Sequence, residues 1–141
     1  MITFVENHIH NPYFSVGVAD NIGYYSDSEG SIRGNTSGKA VFLGCRAGLT
    51  NIGIDSIGNV RGCESMYDES FVEGNLREQT LSEIWNHPDS FAYNRHFMLN
   101  QLTGKCKECS LGSKCAGGCR SYNYFTNGKL YESQRCVQKI I

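Results

Sequence analysis

Seven cysteines in 141 residues, several of them only a few positions apart, constrain this chain more than any other feature. They stand as Cys45-x17-Cys63, then Cys106-x2-Cys109-x5-Cys115-x3-Cys119, and finally Cys136. An odd number cannot pair off completely in disulfides. The opening Met1-Ile2-Thr3-Phe4-Val5-Glu6 lacks the basic and then apolar stretch of an export signal. The expected compartment is therefore the cytoplasm, where thiols stay reduced. Reduced thiols at tight spacing point to soft metal ions or iron–sulfur clusters. A Cys-x2-Cys step lets both sulfurs face one centre while intervening backbone N–H groups offset the thiolate charge. In Cys115-Ala116-Gly117-Gly118-Cys119, Gly117 and Gly118 allow close backbone approach or a positive φ.

Composition removes other classes. Thirteen basic against fourteen acidic residues leave a net charge of −1, so no basic face points to nucleic acid or to a membrane surface. No apolar run approaches the roughly 18 residues of a membrane-spanning helix. A barrel enzyme of about 250 residues does not fit in this length.

Along the chain, residues 1–44 carry no cysteine and read as an extended, strand-and-loop lead-in. Phe14-Ser15-Val16-Gly17-Val18 alternates, Gly23-Tyr24-Tyr25 marks a turn, and 26–39 is a polar loop. Ile52–Ser56 and Val60–Cys63 predict a hairpin turning at Gly58 and Asn59, which would bring Cys45 and Cys63 together. Thr80-Leu81-Ser82-Glu83 is a capping-box sequence opening a helix with Leu81, Ile84 and Trp85 on one face. The stripe Phe91, Arg95, Met98 and Leu102 predicts a second helix over about 89–101. From Cys106 onward short turns are expected. The fold class is α+β: a β-hairpin, two short helices and a loop layer wrapped around two metal clusters.

Seven thiolates divide into four and three. In two-cluster ferredoxins the last cysteine of a dense run crosses to the other cluster. The same logic gives Cys106, Cys109, Cys115 and Cys136 to one centre (cluster II) and Cys45, Cys63 and Cys119 to another (cluster I), whose fourth site is open or not cysteine. Four thiolates also suit tetrahedral zinc or a single, rubredoxin-like iron. Either would leave a metal-stabilised peptide-binding module without a redox role. A free-standing ferredoxin-like carrier is a third alternative.

The full pattern, including Gly58 four residues before Cys63, resembles the SPASM domain, the auxiliary-cluster domain of many radical S-adenosylmethionine (radical SAM) enzymes. Gly44-Cys45-Arg46-Ala47-Gly48, Glu73-Gly74-Asn75-Leu76, Ser82-Glu83-Ile84-Trp85, Phe91 with Arg95, and Gly117-Gly118-Cys119-Arg120 are also similar to that family. The likeness runs over roughly residues 40–138. It implies two auxiliary iron–sulfur clusters, usually [4Fe-4S], with the same ligand split. Some members close cluster I with an eighth cysteine soon after the first; here Asn51 stands six residues after Cys45. Asp55, Glu64, Asp68, an external thiol, water or substrate could then fill the fourth site. The Cys-x3-Cys-x2-Cys triplet of radical SAM chemistry is missing, because Tyr122 stands where its third cysteine would be. The resemblance thus implies a domain that is not catalytic alone: residues 1–44 would bridge from a radical SAM barrel, in cis or in trans, and 45–141 would be the cluster domain. It would relay electrons from a peptide or protein substrate, with an external electron acceptor, or position that substrate.

Around the cysteines, Arg46, Arg95 and Arg120 read first as surface or ion-paired arginines. Arg120, beside Cys119, is the best candidate for a donor near a cluster, and with Gly117 and Gly118 it forms the expected surround. Trp85 and Phe91 read as core. His8 and His10 read as a solvated strand rather than a metal pair.

Overall fold

The hairpin forms where the alternation places it. The computed structural model describes residues 2–8, 10–14, 29–33, 42–136 and 138. Strand β1 (Gly53–Ile54) pairs antiparallel with β2 (Asn59–Arg61), Gly53 opposite Arg61 and Ile54 opposite Val60. Gly58 turns the chain with φ +92°, a conformation that a side chain would strain. A third strand, β3 (Gly74–Asn75), extends the sheet in the order β1-β2-β3, and nothing in its two residues announced it. The turn is held by Asp55, whose carboxylate accepts from the backbone N–H of Ile57 and Asn59, the Asn59 amide, and Arg61 Nη1 at 2.7 Å. Buried Arg61 also reaches Glu69 at 3.3 Å.

The lead-in departs from the strand-and-loop expectation. Ile2–His8 is a helix, α1, and Glu29–Ile32 a single helical turn, α2. In α1 the rings of Phe4 and His8 stack one turn apart, and Nδ1 of His8 lies 2.7 Å from the Phe4 carbonyl oxygen, contacts that helical spacing alone provides. The alternating stretch from Ser15 to Val18, the turn at Gly23–Tyr25 and most of the polar loop over 26–39 lie outside the described residues.

Helix α3 (Leu81–Asn86) starts as its capping box dictates: Thr80 Oγ1 accepts from the Glu83 N–H, and the Glu83 carboxylate accepts from the Thr80 N–H. Such a cap contributes about 1 kcal/mol. The second helix is much shorter than 89–101. Only Ala92–Arg95, α4, is helical, with a 3₁₀ turn at Leu99–Gln101. Phe91 enters at φ 57°, left-handed, because its ring is driven wholly inside against Val60, Ile84 and Trp85. Arg95 is then tied to the carbonyls of Gly48 and Trp85, and Met98 is extended, so the ladder stops. The last third holds more helix than expected: α5 (Gly104–Lys107), α6 (Gly112–Cys115) and the eight-residue α7 (Arg120–Asn127).

Two small cores organise the first half. Ala47, Met66 and Phe71 form one, flanked by Cys45, Cys63, Tyr124 and Leu130. Val60, Ile84 and Phe91 form the other, and Tyr93 packs against both.

The Arg61 guanidinium holds the Asp55 carboxyl down at about 2, helped by the turn N–H groups. A carboxyl lowered in the folded state adds stability above its unfolded value near 4, and that stability fades as pH falls toward 2. Asp55→Asn is expected to lower the melting midpoint at neutral pH. It should also flatten the loss of stability between about pH 4 and 2, as thermal melts across that range would read. An unchanged acid slope would contradict this account.

Candidate metal centres

A different local device places each cysteine. Gly44 turns at φ +87°, so close to the Cys115 carbonyl oxygen that a Cβ there would lie 3.0 Å from it. Cys45 follows, pinned from α4 by the buried Asn94 amide, which donates to the Ala47 carbonyl at 2.8 Å and the Cys45 carbonyl at 3.4 Å. Cys63 leaves β2 through a turn closed by the Met66 N–H on its carbonyl. Cys106 rides on α5, Cys109 follows one turn later, and Cys115 ends α6. Ala116, Gly117 and Gly118 then all take positive φ, and Gly117 is packed so tightly on the Tyr131 backbone that a Cβ would meet its carbonyl oxygen at 2.8 Å. The buried Asn123 amide donates to the Gly117 carbonyl at 2.7 Å and fixes that turn. Cys119 caps α7: its sulfur accepts from the Tyr122 N–H at 3.5 Å.

The side chains converge in two places. Cys106, Cys109, Cys115 and Cys136 line a cavity of about 320 Å³, with Gly117 and Gly118 in its wall. Cys45, Cys63 and Cys119 line a separate one of about 90 Å³, together with Arg46, Asn51 and Met66. Cys106, Cys115 and Cys136 are buried, whereas Cys45, Cys63, Cys109 and Cys119 are half-buried. Among the described residues no three Cys, His, Asp or Glu side chains close on a point that one metal ion would fill. The four thiols share the wall of the larger cavity with Gly117 and Gly118.

Burial pushes the Cys115 and Cys136 thiols up from their ordinary value, and the neighbouring thiols add to the rise. Backbone N–H groups of Gly117 and Gln138, directed at these sulfurs, work the other way. Sulfur-directed amides of this kind are what a thiolate ligand set requires.

Three of the fourth-ligand candidates are directed elsewhere. Asp55 serves Arg61, Asp68 accepts from Ser70 and Tyr124, and Glu64 lines a cavity beside Ile54 and Tyr67. Asn51 does line the three-thiol cavity. Arg95 is a structural tie, its guanidinium stacked on Trp85 and Phe91 at 4.4 and 4.7 Å. Arg46 is exposed at the rim of the smaller cavity. Arg120 is buried, and its Nη1 donates to the carbonyls of Ala116, Gly118 and Leu130. His8 and His10 line neither cavity. Sequence reasoning missed Asn94, Asn123 and Tyr93, polar residues on buried faces whose only signal was their position within otherwise apolar stripes. Burial raises the Tyr93 phenol well above its usual range, with Glu73, Cys45 and Cys63 adding to the effect.

Two cysteine-lined cavities on a small α+β frame are where the chemistry-bearing side chains of the described residues gather. Residues 45–110 match the family model of SPASM, an iron–sulfur cluster-binding domain. Cys115, Cys119 and Cys136 lie beyond the matched stretch. The AdoMet-dependent heme synthase of Methanosarcina barkeri is 32% identical over 102 residues, covering 72% of this chain and 28% of that protein. The mycofactocin maturase MftC of Mycolicibacterium smegmatis is 31% identical over 83 residues, 58% of this chain and 20% of that one. The chain thus spans about a quarter of the length of these curated relatives. The solved structure of histidine-tagged anSMEcpe with bound AdoMet aligns over 62% of this chain and 22% of its own, at 24% identity and a TM-score of 0.40. At that score the superposition carries no weight.

The two cavities predict separable losses. Cys109→Ser is expected to remove the centre at the four-thiol cavity and to lower stability sharply. Cys119→Ser should remove mainly the other centre, read as iron and sulfide per chain. Equal loss of both centres in each variant would contradict the division.

Proposed function

We propose that this chain is the auxiliary iron–sulfur domain of a radical SAM peptide maturase, with residues 1–44 as the bridge from the barrel and 45–141 as the cluster domain. It would hold two clusters, of the [4Fe-4S] type, one on Cys106, Cys109, Cys115 and Cys136 and one on Cys45, Cys63 and Cys119. The observation that carries this reading is the sorting of seven thiols into two cavities, four and three, in a chain whose first four cysteines fall in an iron–sulfur family match. MftC, named as a maturase, supports a peptide-modifying context.

Iron–sulfur clusters supply one-electron transfer when bound. The rest of the work falls to residues of this chain. Buried Cys106, Cys115 and Cys136 shield one centre from water, which suits electron passage toward an external acceptor. The half-buried trio opens toward Arg46 and Asn51, a cation and a carboxamide at the rim, where a peptide carboxylate or thiol would be received. Phe42, three residues upstream of Cys45, lines that cavity and donates its N–H to Glu29 at 2.9 Å, so the lead-in reaches the site directly.

Iron, sulfide and zinc content of anaerobically reconstituted protein, with Mössbauer spectra, tests the reading. About eight irons with matching sulfide are expected. One or two zinc ions without sulfide would replace it with a metal-stabilised binding module. A single iron without sulfide would place a rubredoxin-like site at the four-thiol cavity.

Asn51 offers a sharper test of the incomplete site. Added cyanide or a small thiol should change the spectrum of one of the two centres. Asn51→Cys, which sets a fourth thiol in the same cavity, is expected to abolish that response while iron content holds. A response that survives the substitution would place the exchangeable position elsewhere.

A further inference from the structure

Arg120 is 1% exposed, and among the described residues no carboxylate pairs with it. That sets it apart from Arg61, the other arginine in the buried set, which has both Asp55 and Glu69. The guanidinium is clamped between aromatic rings, 4.9 Å from the Phe97 centroid and 4.5 Å from that of Tyr131. Its Nη1 bonds only carbonyl oxygens, those of Ala116 at 2.6 Å, Leu130 at 3.2 Å and Gly118 at 3.4 Å, and its Nε has no partner. A guanidinium does not give up its proton in a protein. Leaving it buried without an anion is expensive, so the countercharge must come from something the site acquires.

The location says what that is. Ala116 and Gly118 lie in the turn between Cys115, of the four-thiol cavity, and Cys119, of the three-thiol cavity. Gly44, next to Cys45, packs against the same Cys115–Ala116 backbone. Arg120 itself directly follows Cys119, so the guanidinium stands beside the backbone that carries ligands of both thiol sets. With no carboxylate on the guanidinium, the cysteines that bracket the bonded carbonyls are the source of negative charge at hand. Protonated thiols give Arg120 no charge; metal-bound thiolates do.

We infer that Arg120 is the shared counter-cation of both centres, a positioning residue that raises the reduction potentials of the two clusters together. The inference rests on the two-cluster reading. Reduction adds one electron, and so one negative charge, to a centre. A fixed cation between the two stabilises either reduced form.

The test is an EPR-monitored redox titration of the anaerobically reconstituted chain beside Arg120→Gln and Arg120→Lys, with iron and sulfide counted in each. Loss of the charge in Arg120→Gln is expected to move both potentials to more negative values at unchanged iron content. Arg120→Lys, which keeps the charge, should stay near the parent. Two loaded centres with one or both potentials indifferent to Arg120→Gln would overturn the inference alone. If Arg120→Gln does not load, Lys decides. A loaded Lys variant with potentials near the parent supports the charge role. A Lys variant that also fails to load, or whose potentials fall, makes Arg120 a clamp for the Ala116 and Leu130 carbonyls and overturns it. A parent chain without two sulfide-bearing centres overturns the two-cluster reading first, and the iron and sulfide counts alone identify that failure.

Discussion

Among the described residues from Leu102 onward, the buried apolar ones are Leu102 and three cysteines, Cys106, Cys115 and Cys136. An ordinary domain fills such a region with Leu, Ile, Val and Phe, each contributing roughly 1.5–3 kcal/mol on burial. Here thiols occupy the interior, and the other buried side chains are polar: Arg120, Ser121, Asn123 and Ser133. A layer built this way gains little by excluding water. Its cohesion depends on whatever binds the sulfurs, as in small metal-folded domains. The short helices fit that logic. α5 and α6 have four residues each, far below what stands alone, and serve as one-turn mounts for Cys106 and Cys115.

The first half solves a different problem. Cys45 and Cys63 sit on opposite arms of the chain and must be held at one place. Phe71 makes edge-on contacts with Tyr93 and Tyr124 at 5.5 and 4.8 Å, and this aromatic group forms the floor on which both thiols rest. Tyr93 joins that floor to the sheet core, while Tyr131 donates its hydroxyl to the Tyr93 carbonyl at 3.0 Å. The same Tyr131 ring covers Arg120. One chain of contacts therefore runs from the sheet, through α4, to the cation between the two thiol sets.

How much of this the residues announced varies with the physics involved. The hairpin and the α3 cap were legible because local rules fix them: alternation with Gly58 at the turn, and Thr80 with Glu83 three residues on. The cysteine intervals suggested a four-and-three division, and the two cavities are lined by cysteines in that grouping. Periodicity failed at Phe91–Leu102. The stripe was real, but Phe91 is buried by entering left-handed, and that tertiary demand outweighs helical propensity. Helix α7 was overlooked because its cap is a cysteine, read for metal chemistry rather than as a hydrogen-bond acceptor. Asn94 serves a carbonyl 47 residues away, which no local pattern encodes, and Asn123 serves Gly117 and Leu130 across turns on either side of it.

The two thiol sets also differ in how their charge is offset, and this asymmetry follows from their backbones. Around Cys115 and Cys136, amides of Gly117 and Gln138 turn toward sulfur, in a setting where burial raises both thiols. Cys119 instead sits at the start of α7, where the Tyr122 N–H and the helix dipole favour an anion without burying it. The first arrangement suits a closed centre whose charge must be neutralised from within. The second tolerates water and leaves a polar rim at Arg46 and Asn51. Arg120 follows Cys119 directly, and its guanidinium bonds the Ala116 and Gly118 carbonyls in the three-residue span between Cys115 and Cys119. If each thiol set holds a centre, that short turn brings the same cation to both.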